Sequence, residues 1–260
     1  MTPRIYVLLL AVWIVSSLSG LAQEPTARSA PNPRALLAQF LAAAGATNVN
    51  AFAASGTITY FWAGEPVQGA ATLSGRGADQ FRLDADLPGG TRSFALSHGT
   101  GMRKGADGKL AEIPVQNASA GSIPAIPYPS IAAALADPAV EFTYLGLEDA
   151  GGRQFYRIRV SPNIPAERDP RGIMKQLSWI DYLVDTQTYL VAKTADLTHP
   201  KETITESYLH EIELEEYTAM GGIAVPTIIR EKVGGQTTWE LHPSTVVFNP
   251  NLSDADFALQ

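Results

Sequence analysis

Residues 80–87 read Gln-Phe-Arg-Leu-Asp-Ala-Asp-Leu, with apolar and polar side chains alternating along the segment. Successive side chains of a β-strand point to opposite faces, so Phe81, Leu83, Ala85 and Leu87 share one face and Gln80, Arg82, Asp84 and Asp86 the other. Such a segment is a half-buried strand of an antiparallel sheet. The same period of two governs most of the chain from Ala51 onward. Residues 55–62 and 67–74 read as strands around a turn at Gly64-Glu65, and Pro88-Gly89-Gly90 leads into a strand over 91–98. Ala106-Asp107-Gly108 is a hairpin turn of the Asp-Gly kind. Further strands are expected at 141–147, 153–160, 179–184, 189–197, 203–217, 226–233, 236–241 and 245–248.

Helical signals are few. Asn32 is a good cap and Pro33 a good first residue, followed by an apolar stripe of Leu36, Leu37, Phe40 and Leu41 that Gly45 ends. A second, Ala-rich helix spans 130–137 and stops at Pro138. Between the strands, residues 117–129 read as a loop with three prolines, and 161–177 as a polar connection. Eleven to thirteen strands against two helices exclude a parallel sheet, whose crossovers each need a helix. The fold class is mainly β (α+β), with one long, strongly curved antiparallel sheet.

One register follows from arithmetic. A two-residue turn at Gly221-Gly222 pairs positions whose numbers sum to 443, so Glu213 faces Arg230, Glu211 faces Lys232 and Leu214 faces Ile229. Cross-strand pairs of this kind contribute about 0.2–1 kcal/mol each.

The N-terminus differs in kind. Arg4 precedes nine apolar residues, Val7 to Val15, and a small-residue segment ends in Gly20-Leu21-Ala22. This is the pattern of a secretory signal peptide over 1–22, cleaved after Ala22, and the apolar run is shorter than the roughly 20 residues a membrane span needs. Residues 23–33, rich in Pro, Ser and Ala, form a flexible leader. The chain has no cysteine, so it carries neither disulfides nor a bacterial lipid anchor at the cleavage site, and its stability rests on an ordinary core. The formal charge of −7 becomes −8 once Arg4 is removed. That balance excludes nucleic acid and permanent docking on an anionic membrane.

No catalytic constellation emerges. Glu211, Glu213 and Glu215 share a strand face while His210 points to the other, which describes a solvated face with ion pairs rather than a metal or acid–base site. His98, His199 and His242 are scattered, and the nucleophile-elbow motif Gly-x-Ser-x-Gly is absent. No catalytic residue, metal or cofactor is expected.

The order of elements nevertheless resembles the LolA/LolB-like periplasmic lipoprotein-carrier superfamily. The segment 71–87, ATLSGRGADQFRLDADL, is similar to that family's strand, basic residue, turn and "F-R" strand. His98-Gly99-Thr100-Gly101 through Asp107-Gly108 resembles the following hairpins. Val184-Asp185-Thr186-Gln187-Thr188 resembles the family's "D-x-x-T" hairpin, and 248–257 its closing segment. The resemblance implies one domain over 34–260, an incomplete barrel covered by the N-terminal and mid-chain helices. It also implies a lid-gating role for Arg76, although Gly77 follows it where the family has proline. Phe81, Leu83, Phe94 and Leu96 would line the hollow from the strands, and Leu36, Phe40, Ile131 and Leu135 from the helices. The function expected is a periplasmic, non-enzymatic carrier or binding protein for lipid acyl chains or lipoprotein anchors, touching membranes transiently. Two alternatives stay open: a filled interaction module serving envelope proteins, and a hydrolase with an unrecognised site.

Overall fold

The structure, a computed structural model, describes residues 30–61, 64–120, 125–162, 164, 166–167 and 169–259. The expected signal peptide and most of the leader lie outside them. Helix α1 (Pro33–Ala43) begins as its sequence demands. The Asn32 Oδ1 accepts the Ala35 N–H at 3.2 Å, and Gly45 leaves the helix at φ +72°.

Six strands come next: β1 (Ala51–Tyr60), β2 (Val67–Arg76), β3 (Gln80–Leu87), β4 (Gly90–Ser97), β5 (Thr100–Lys104) and β6 (Leu110–Glu112). Helices α2 (Val115–Ala120) and α3 (Tyr128–Ala136) lead to β7 (Glu141–Ala150) and β8 (Arg153–Ser161). After α4 (Ile173–Leu177) come β9 (Ile180–Asp185), β10 (Val191–Thr198), β11 (Tyr208–Met220), β12 (Ile223–Val233) and β13 (Gln236–Phe248), then a 3-10 turn at Asp254–Phe257. The 13 strands form one antiparallel sheet in the order β6-β5-β4-β3-β2-β1-β13-β12-β11-β10-β9-β8-β7. It is open, with β6 and β7 as its edges.

The β11–β12 register pairs Glu213 with Arg230, Glu211 with Lys232 and Leu214 with Ile229, as the turn arithmetic requires. Charged contacts reinforce this register: Arg230 reaches its partner Glu213 at 3.3 Å, and Lys232 Nζ reaches Glu213 diagonally at 2.7 Å. The Asp185 turn is equally well specified. Its Oδ1 accepts the N–H groups of Gln187 and Thr188 at 2.9 and 2.7 Å, and Arg153 reaches its other oxygen at 2.6 Å.

Four expectations need correction. The segment 203–207 is not strand, and β11 starts at Tyr208. The strands expected at 236–241 and 245–248 are one, because Pro243 sits at a bulge opposite Gly56, a place where a missing N–H costs no ladder bond. Part of the proline-rich loop is α2, and the polar connection ends in α4, so four α-helices stand among the described residues. Pro226 also lies inside β12, at a stretch that pairs with β11 but lies before the first β13 partner at Ile229.

The two larger helices set the curvature. Phe40 of α1 stacks on Tyr128 of α3 with ring centroids 5.6 Å apart, and the Tyr128 hydroxyl donates to the Ala224 carbonyl of β12. Arg34 donates to the Leu135 carbonyl at 2.7 Å while its guanidinium lies 4.6 Å over the Phe142 ring of β7. These contacts tie the helix pair to β12 and β7, and α3 also packs on β1 and β2 from the other half of the strand order, so the sheet bends around the helices. Phe52, Ile58, Leu73, Ile158, Ile229 and Leu241 complete this core.

One glycine shows how tightly it is packed. Gly75 faces Phe52 across β1 and β2, and a Cβ placed there falls 2.5 Å from the fully buried Phe52 ring. Gly75→Val should cost about 1–3 kcal/mol by overpacking, read as a lower urea midpoint. An unchanged midpoint would mean that the ring has room to move.

Candidate ligand cavity

Away from the end filled by α1 and α3, the concave face holds a cavity of about 930 Å³. That is the size of a small-molecule site, about 300–1,000 Å³. Its roof is the segment around α2, which contributes Ile113, Pro114 and Asn117. Backbone and side-chain bonds fasten this roof on both sides. The Ile113 N–H donates to the Gly101 carbonyl of β5 at 2.9 Å. Across the opening, Asn117 Nδ2 donates to the His199 carbonyl and the His199 N–H returns a bond to Asn117 Oδ1, both at 2.8 Å. Gln116, itself buried, donates to the Pro200 carbonyl at 3.2 Å.

One wall is apolar. Phe81 and Leu83 of β3 and Phe94 of β4 face Ile212 of β11 and Trp239 of β13, and the Phe81 and Phe94 rings meet edge-on at 6.3 Å. Another wall is charged. Asp196 of β10 pairs with His210 of β11 in the ladder, and Glu231 of β12 lies opposite Ile212, one diagonal step from His210. Strand alternation puts all three on the cavity face. His210 Nδ1 lies 2.7 Å from Asp196 Oδ1, and its Nε2 lies 3.1 Å from Glu231 Oε1. Thr238 donates its hydroxyl to the other Glu231 oxygen.

A ring with both nitrogens on carboxylates donates from both, so His210 is an imidazolium. Burial alone would lower its pKa, but Asp196 and then Glu231 outweigh that and raise it to about 10. Tyr60, on the same cavity face, has its hydroxyl pushed up to about 12, chiefly by burial and also by Glu231. These facts limit the chemistry. An imidazolium locked between two carboxylates has no lone pair to act as a general base or to ligate a metal. Among the described residues no group of three or more His, Asp or Glu side chains is arranged to hold a metal ion.

The sequence-expected lining residues divide into two sets. Phe81, Leu83 and Phe94 come together on the apolar wall. Leu96, next along the same face of β4, is buried beyond it. Leu36, Phe40 and Ile131 are buried in the solid end of the core, and Leu135 packs against that core. The roof is therefore α2 rather than the α1–α3 pair. Arg76 lies on the sheet face opposite the apolar wall. It donates to Gln80 at 2.7 Å and to the Leu252 carbonyl at 2.6 Å, and pairs with Asp254, pinning the C-terminal segment to β2 and β3. The outward reading of Glu211, Glu213 and Glu215 stands, since Lys193, Lys232 and Arg230 neutralise them. What the sequence reading missed is the inward side of the same strand, His210 with Asp196 and Glu231.

Among solved structures, the chain is similar to an outer membrane lipoprotein-sorting protein domain from Vibrio parahaemolyticus, at 14% identity and a TM-score of 0.54 over 86% of this chain and 95% of that one. It is also similar to a LolA superfamily protein from Nitrosomonas europaea, at 11% identity and a TM-score of 0.55 over 88% and 99%. A DUF1329 family protein from Desulfovibrio piger is similar at 12% identity, with a TM-score of 0.51 over 88% and 98%. The fold is LolA-like: an open, curved antiparallel sheet around helices. No family profile and no curated protein matches the sequence itself.

The charge state of His210 has a direct readout. Its contribution to stability is complete below its ordinary pKa of 6.5 and is lost as pH rises through about 10, because the folded protein holds the proton more tightly than the unfolded chain. The imidazole proton resonances of His210, tracked by NMR, should keep their imidazolium shifts through pH 8. A titration midpoint near 6.5 would contradict the paired geometry.

Proposed function

We propose that the protein is a non-enzymatic carrier or binding protein that shelters lipid acyl chains, acting in the periplasm after cleavage at Ala22. The carrying observation is the cavity of about 930 Å³ with Phe81, Leu83, Phe94, Ile212 and Trp239 on its walls, set in a LolA-like sheet. Such a hollow gains from hydrocarbon about 0.8 kcal/mol per methylene removed from water. Among the described residues, no helix is long and apolar enough to cross a membrane. The locked state of His210 removes it as a general base, and His98 sits in an exposed turn beside Asp79, outside the cavity lining.

A specific observation also favours a protein contact. Edge strand β7 exposes Leu145 and Leu147 beside a bulge at Tyr144–Gly146, and an unpaired apolar strand edge can accept a partner strand. The cavity argues against the filled-core version of that reading. An envelope partner at β7 is compatible with lipid carriage.

Protein purified from a bacterial periplasm without detergent should release acyl lipids on extraction, detected by mass spectrometry. After delipidation it should bind a fluorescent fatty acid, and Phe94→Glu should weaken that binding by about tenfold or more, the equivalent of 1.4 kcal/mol. Lipid-free protein that also ignores the fluorescent probe would refute the proposal.

A further inference from the structure

The charged wall of the cavity is out of balance. Asp196 and Glu231 bring two carboxylates to a single imidazolium. Asp196 is 1% exposed, and its Oδ2 has no hydrogen-bond partner. Three residues further along, His199 is 6% exposed and also lines the cavity. Its Nδ1 lies 2.8 Å from the Glu206 carbonyl, which can only accept, so Nδ1 carries the proton and Nε2 keeps a lone pair. That Nε2 is likewise buried without a partner. The wall therefore holds two unpartnered acceptors, and burial pushes the Asp196 carboxyl above the usual carboxylate range, as expected where a buried negative charge lacks a full counter-charge. Buried surplus charge is neutralised by a proton or by a cation. Acceptors without donors are satisfied by N–H or O–H groups.

We propose that Asp196, His199, His210 and Glu231 form a subsite for a primary ammonium group, carried by an amphiphile whose chain lies along Phe81, Leu83 and Phe94. This deepens the acyl-carrier reading and rests on it. A primary ammonium supplies one positive charge and three donors. Asp196 Oδ2 and His199 Nε2 take two of them. His210 stays locked as a cation and holds Asp196 Oδ1, so Oδ2 is the oxygen left for the ligand. The rival head is a carboxylate or phosphate drawn to the basic residues that also line the cavity, Arg92, Arg103, Lys104, Lys109 and Lys201. All but the half-buried Lys104 are exposed, and Lys109 already pairs with Asp107 at 3.0 Å, so water screens them more than it screens Asp196.

Calorimetric titration of the delipidated, full mature chain with matched twelve-carbon ligands separates the possibilities. Dodecylammonium should bind about tenfold or more tightly than dodecanoate, with dodecanol between, as charge-assisted bonds exceed neutral ones. Asp196→Asn should remove that preference. Because Asn at this position can disturb the His210 pairing, His199→Phe serves as a second variant that leaves the ion pair intact, and it should reduce the preference as well. Thermal melts establish that both variants are folded. Equal binding of the three heads, or a preference for dodecanoate, overturns the subsite while leaving the acyl cavity standing. Propylammonium binding as tightly as dodecylammonium assigns the site to a free small amine and overturns the amphiphile. If none of the chains binds, the carrier reading itself fails, and the subsite with it.

Discussion

A meander that starts in the middle of its own sheet must somewhere carry the chain from one edge to the other. Here β1 pairs with β13, the first strand with the last, and the chain runs outward from β1 to the β6 edge. It must then reach β7, the opposite edge, before returning strand by strand. Every other step joins neighbouring strands, the longest of them through α4 between β8 and β9, but this one crosses the concave face and carries α2 and α3. That single crossing determines where the molecule is solid and where it is hollow. Its second half, α3, packs with α1 through Phe40 and Tyr128 and gives the sheet something to bend around. Its first half, α2, is too short and polar to fill the remaining space, so it bridges the space and roofs it.

The cavity is accordingly a by-product of unequal filling. At one end, side chains such as Phe52, Phe40 and Ile131 pack to exclusion. At the other, aromatic residues line a hollow that they do not close, and the roof hangs on the reciprocal pair between Asn117 and the His199 backbone. A handful of hydrogen bonds to a surface segment is a modest restraint compared with a packed helix, since each contributes about 0.5–1.5 kcal/mol net. The roof is thus the part of the fold best suited to open. Against the apolar lining stands a largely buried group of three ionisable side chains. Such groups rarely pay their way in stability alone, which makes their position on a cavity wall the more informative fact.

Legibility in the sequence tracked the range of the interactions. Helix α1, with Asn32, Pro33 and Gly45, and strand β3 depend on neighbours a few residues apart, and both are readable directly. The β11–β12 register is readable because two glycines fix the turn. Helix α2 is not, because nothing within Val115–Ala120 repeats with a helical period; Gln116 and Asn117 find their partners some 80 residues away. The Asp196–His210–Glu231 cluster was half accessible. The same sum that pairs Glu213 with Arg230 places Glu231 opposite Ile212, diagonal to His210. Asp196 needed the β10–β11 register, and the irregular segment 199–207 between those strands fixes no turn from which to count. The split between lining and core residues depends on unfilled volume, which no alternation pattern records.

The central claim is that hydrocarbon enters the space between the two walls. A crystal structure of the protein soaked or co-crystallised with an acyl ligand brominated along its chain locates that chain through the anomalous signal of the bromine atoms. Peaks between Phe94 and Trp239, beneath the α2 roof, are the result this account predicts. Bromine found only on the outer surface, with Phe81 and Phe94 collapsed onto Ile212 so that no space remains, would contradict it.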